Sequence, residues 1–78
     1  MNDRIVVNPK VLGGKPCVKG TRIPVYMVLE LVEAGVSFDV IRTNFYPRLS
    51  DENIKACIAY ARQITQNEEV HLAIEQAV

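Results

Sequence analysis

Between Pro24 and Gly35 the chain reads VYMVLELVEA, a run in which only Glu30 and Glu33 are charged. Proline presets the backbone angle of a first helical turn, and glycine accepts the left-handed angle that closes a last one. The segment is therefore a helix with both ends marked. Val25, Val28, Leu29 and Val32 fall on one stripe at helical spacing, whereas Met27 and Leu31 project elsewhere. A helix that is apolar nearly all round expects cover nearly all round. A single small domain cannot supply it, so Met27 and Leu31 are expected at the interface of a homodimer. Each would contribute about 1.5–3 kcal/mol if fully covered.

Size makes the same demand. A chain of 78 residues is one small domain, and such domains usually need a disulfide, a metal or a second subunit. A hydrophobic content of 49% excludes a disordered tail. Cys17 and Cys57 are the two cysteines, and Met-Asn-Asp-Arg opens the chain without an apolar region. The expectation is a cytoplasmic protein in which both thiols are free and behave as small buried hydrophobes.

Breakers and caps divide the rest. The run RIVV (4–7) reads as a strand closed by Asn8-Pro9. PCV and RIP flank Lys19-Gly20-Thr21, which predicts two short extended arms around a glycine turn. Gly13 and Gly14 read as positions of positive φ. Ser37 is the N-cap of a second helix, FDVIRTNF, which Pro47 stops; Ser50 is the N-cap of a third, DENIKACIAYARQI. Asp51 and Glu52 stand where the helix dipole favours acid. Val70, Ala73, Ile74, Ala77 and Val78 form a weaker stripe that predicts a C-terminal helix.

Nothing in this pattern carries catalysis. His71 is the single histidine and stands away from both cysteines, and no zinc spacing occurs. Gly13-Gly14-Lys15 lacks the Ser or Thr that a P-loop requires next. Ser37 and Ser50 are explained as caps. The expectation is a protein that is not an enzyme and holds neither metal nor cofactor.

Charge is unevenly placed although it sums to zero. Up to residue 24, Arg4, Lys10, Lys15, Lys19 and Arg22 stand against Asp3 alone. From residue 66 onward there are three glutamates and no lysine or arginine. A basic arm and an acidic tail thus flank a near-neutral body. Residues 37–64 also give helix, short turn, helix, the arrangement of a helix-turn-helix unit. On its second member Asn53 and Lys55 are placed to reach base edges, while Asp51 and Glu52 sit where phosphates would approach. Three helices packed this way also occur without any DNA role.

The stretch GKPCVKGTRIPVYMVLELVEAG, followed by SFDVIRTNFYPRLSDENIKACIAYA, closely resembles domain-of-unknown-function family 433. Gly14, Pro16, Gly20, Thr21, Arg22, Pro24 and Val25 match its first motif. Tyr46, Pro47, Leu49, Ser50, Ala59, Tyr60 and Ala61 match its second. The resemblance covers about residues 4 to 64. It implies a mainly α fold: a homeodomain-like three-helix bundle with a short N-terminal β-hairpin element. It also implies an antitoxin, the partner of a PIN-like ribonuclease toxin.

On this basis residues 1–65 form one antitoxin-like helix-turn-helix domain and 66–78 an acidic amphipathic tail. The expected function is neutralisation of the ribonuclease, with operator DNA bound by the dimer. The alternative is a stand-alone homodimeric DNA-binding or scaffold protein. Lys15, Lys19, Arg22, Asn53 and Lys55 are the expected DNA contacts. Arg22 has two readings: a structural bridge to a carbonyl or carboxylate, or a phosphate contact. Arg62, Val70 and Ile74 are the expected toxin contacts, and no membrane is involved. The tail lacks the cation with which many antitoxins quiet an acidic nuclease site, so cover, Arg62 or competing carboxylates must act instead.

Overall fold

The computed structural model describes residues 2–67. The fold is mainly helical, a small three-helix bundle preceded by a two-stranded antiparallel element. In chain order the elements are β1 (Ile5–Val6), β2 (Cys17–Val18), α1 (Val25–Glu33), α2 (Phe38–Val40, continued by a π turn, Ile41–Phe45) and α3 (Asp51–Asn67).

The strands pair Ile5 with Val18 and Val6 with Cys17. This ladder joins β1 to the first arm of the glycine turn, a long-range pairing added to the hairpin expected from residues 16–24. The hairpin itself is present in reduced form, as one bridge between Cys17 and Pro24 and a bond from the Val18 N–H to the Ile23 carbonyl. Its turn is closed by the Thr21 N–H on the Val18 carbonyl at 3.0 Å, with Gly20 at φ +80°. A positive angle at the third turn position is the type II requirement, and glycine meets it without strain. The connection from β1 bends through a 3-10 turn at Leu12–Gly14. There Leu12 also takes a positive φ, 51°, which the residue type does not announce.

The helix ends follow the local signals. α1 closes with the Val36 N–H on the Leu31 carbonyl and the Gly35 N–H on the Val32 carbonyl, both at 3.0 Å, with Gly35 at φ +83°. This is the Schellman pattern. The Ser37 hydroxyl accepts from the Val40 N–H at 3.2 Å, and the Ser50 hydroxyl from the Asn53 N–H at 3.1 Å. The second helix departs from a uniform α-helix over 38–45. After one α turn it widens, and the Tyr46 N–H reaches the Ile41 carbonyl at 2.7 Å. The Thr43 hydroxyl takes the Asp39 carbonyl at 2.8 Å, competing for the acceptor its own N–H would use in an α-helix. α3 runs to Asn67, three residues past the expected end at Ile64 and across the boundary drawn at 65.

Ile5, Val18, Val25, Val28, Ile41, Leu49, Ile54 and Cys57 form the core, where α1 packs on α3 and the strands close one end. Leu31 is already partly covered within the single chain. With Leu29, Val32, Val36, Phe38 and Tyr46 it packs against this same core. Leu31 is therefore half-buried within one chain, and Met27 remains exposed, its sulfur 4.0 Å from the Tyr46 hydroxyl. Val70 and Ile74, and the helix expected in the tail, lie outside the described residues.

Candidate nucleic-acid interface

The N-terminal segment lies along α3. Asn2 Nδ2 donates to the Ala56 carbonyl at 2.6 Å, and Asn2 Oδ1 accepts from the Arg4 N–H at 3.2 Å. Arg4 Nη1 then donates to Asn53 Oδ1 at 3.0 Å. An arginine only donates, so the Asn53 oxygen must face it. Bidentate reading of adenine needs the oxygen and the nitrogen of an asparagine together. Asn53 is therefore occupied as an acceptor, and its free group is the amide N–H₂. What α3 presents instead is a shallow groove bordered by Arg4, Glu52, Lys55, Ala59 and Gln63. Lys55 is exposed there and makes no salt bridge among the described residues. Tyr60, one turn on, packs against the core.

The basic arm divides. Lys15 Nζ sits 5.7 Å from the centroid of the Tyr26 ring, a cation–π contact on the α1 side. Lys19 is exposed, with its backbone N–H on the Arg4 carbonyl at 2.7 Å. Arg22 alone of the three borders a concavity of about 540 Å³ below the glycine turn. Thr21 shapes that turn: its hydroxyl donates to the Val18 carbonyl at 2.7 Å and accepts from the Ile23 N–H at 3.0 Å. Arg48 lines the same concavity, and its Nη2 donates to the Gly20 carbonyl at 3.1 Å. The structural bridge open to Arg22 in the sequence is thus made by Arg48. Arg22 makes no side-chain hydrogen bond among the described residues. Two signals marked Arg48: it is a cation just after Pro47, and it stands inside the Tyr-Pro-x-Leu motif. Arg4 carried no motif and gained its place only through the fold.

Other ionisable groups serve the fold. Arg42 Nε donates to Asp51 at 2.7 Å and Nη2 pairs with Asp39, tying the π turn to the start of α3. The hydrogen bond to Asp51 is the main cause that raises its guanidinium pKa; the attraction of both carboxylates adds to this, against a smaller opposing effect of desolvation. Burial pushes the Cys57 thiol up to about 11, so it is a thiol and not a thiolate near neutrality. Cys17 is also buried, and its thiol donates to the Lys15 carbonyl at 3.2 Å. No three His, Cys, Asp or Glu side chains converge as metal ligands among the described residues. No helix among them is long and apolar enough to cross a membrane. Arg62 is exposed near the end of α3 and donates to Gln66 Oε1 at 2.9 Å.

The family described as "Protein of unknown function (DUF433)" matches residues 5–61, from β1 into α3. The chain belongs to this family. It is similar to the uncharacterized protein y4eO of Sinorhizobium fredii, 40% identical over 57 residues, which are 73% of this chain and 25% of that protein. The chain thus spans about a quarter of that relative's length. It is also similar to the crystal structure of a DUF433 member from Anabaena variabilis, at a TM-score of 0.72 and 28% identity. That likeness covers 81% of this chain and 61% of the other.

Proposed function

We propose that the chain is an antitoxin-like protein of a type II pair, which neutralises a PIN-like ribonuclease and binds operator DNA as a homodimer. It acts by binding and not by chemistry. The observation that carries the DNA part is the outer face of α3, where Lys55 is exposed beside an Arg4 that the Asn53 bond holds in place. α2 and α3 stand in helix-turn-helix order, and Lys19, Arg22 and Arg48 add exposed cations around the hairpin. Lys55 is the base-reading side chain, and the arm cations follow phosphates. Resemblance to the family supports the toxin part, together with an exposed Arg62 just ahead of the acidic tail. The exposed Met27 supports a dimer contact on α1, with Leu31 at its edge only.

Duplex binding followed across salt concentrations tests the DNA part. Each phosphate neutralised adds about 0.9 to the log–log slope. Replacing Lys15, Lys19 and Arg22 together by alanine flattens it by roughly three units per protomer at most. Lys15 is engaged with Tyr26, so the expected loss is nearer two. Lys55→Ala changes sequence preference more than slope. A wild-type chain without salt-dependent duplex binding refutes this part. Co-purification with the product of the adjacent gene tests the other: a ribonuclease captured and inhibited supports it. DNA binding without such a partner favours the stand-alone homodimeric DNA-binding or scaffold protein.

A further inference from the structure

We propose that the hairpin concavity is a seat for one phosphate oxyanion, held between Arg22 and Arg48. Two arginines line this one hollow, and among the described residues no carboxylate does. Arg48 is anchored on a neutral carbonyl, so its charge is uncompensated, and Arg22 has no partner among the described residues. An anion in the hollow would meet two positive side chains and no opposing carboxylate among the described residues. Asn8 adds a donor: its Oδ1 already accepts from the Lys10 N–H at 2.9 Å, which leaves its amide N–H₂ for a ligand at the rim. The Thr21 hydroxyl donates to the Val18 carbonyl and so shapes the turn instead of binding.

Planar guanidinium forks suit a phosphate, which accepts paired N–H bonds. The shared chemistry is a phosphate oxyanion, from a nucleic-acid backbone or from a small phosphorylated molecule. The backbone source rests on the DNA-binding reading, in which Arg22 already follows a phosphate, and adds Arg48 to that contact; the seat itself does not depend on that reading.

The test is a titration of the full chain with inorganic phosphate at constant ionic strength, read by amide NMR shifts. Saturable shifts at Gly20, Thr21 and Arg22 are expected. Arg22→Ala and Arg48→Ala each weaken them about tenfold or more, and Lys55→Ala leaves them unchanged. Arg48→Ala also removes the bond that holds Gly20. Arg22→Ala frees no other group, so it decides the matter should the first variant unfold. Arg48→Lys keeps the charge without the fork and should fall between.

Shifts that never saturate in the wild type, or equal affinity in Arg22→Ala, overturn the seat. A parallel titration with duplex DNA separates the sources. Saturation by phosphate without duplex binding supports the seat, assigns it to a small phosphorylated ligand and refutes the DNA reading. Duplex binding without phosphate saturation, with a salt slope unchanged in Arg22→Ala, overturns the seat and leaves the DNA reading standing.

Discussion

Ile54 is fully buried where α3 meets the core, and Ile58, one turn along the same helix, is 37% exposed. Ile54→Ala removes three carbons, which at about 0.8 kcal/mol per buried group amounts to about 2.4 kcal/mol of lost transfer energy. The void adds about 24 cal/mol per Å³ of unfilled volume, so about 50 Å³ left open adds about 1.2 kcal/mol. A loss of about 3–4 kcal/mol is therefore expected. A domain of this size commonly has about 4–12 kcal/mol to lose, so the variant gives up between about a quarter and all of its stability. Ile58→Ala should cost about 1 kcal/mol, because much of that side chain already faces water. The assay is urea unfolding followed by circular dichroism, repeated over a hundredfold range of protein concentration. Ile54→Val, expected to cost about 0.5–1.5 kcal/mol, gives a value should the alanine variant not fold. Equal costs at positions 54 and 58 at every concentration would refute this packing. A cost at Ile58 that grows with concentration would instead place a second copy against that face.

Three further outcomes are expected. Met27→Lys should leave the unfolding midpoint within about 0.5 kcal/mol in the monomer, since the side chain is exposed, yet shift sedimentation from dimer to monomer if α1 is the dimer contact. Gly35→Ala meets no atom within 4 Å of the added Cβ, so its cost is the strained φ alone, about 1 kcal/mol, and Gly35→Asn should cost less by urea unfolding. Cys57 keeps its proton in the folded chain up to about 11, against an ordinary value of 9.0, so the unfolded chain ionises first. Its contribution is constant below about pH 9 and falls by about 2–3 kcal/mol by pH 11, a decline that Cys57→Ala should lack when unfolding midpoints are compared across that range.

The features legible in the sequence are those whose physics is local. Ser37 and Ser50 bond N–H groups three residues away, and Gly35 closes a helix within its own turn, so residue type alone announces them. Both cysteines read as buried hydrophobes and are buried. What stayed hidden needed the chain to return on itself. Arg4 meets Asn53 across 49 positions, and Arg48 meets Gly20 across 28. No periodicity reports such pairs: Asn53 reads as a free base contact, and the Tyr-Pro-x-Leu motif that holds Arg48 does not say that it meets Gly20. Leu31 lies half-buried against the core of its own chain, which spacing does not report: spacing shows which face a side chain occupies, not what the fold sets beside it.

The candidate site inherits this division. Gly20-Thr21-Arg22 was visible as a motif because the turn needs glycine at positive φ and the threonine hydroxyl needs the Val18 carbonyl. Those two residues are accounted for by the turn itself. Arg22 is the member of the motif that the turn does not use, and the hollow it borders is also lined by Arg48 and, among the described residues, by no carboxylate. Under the phosphate-seat proposal Arg22 holds the anion at the hairpin, while the proposed DNA reading keeps Lys55 on α3 for the bases.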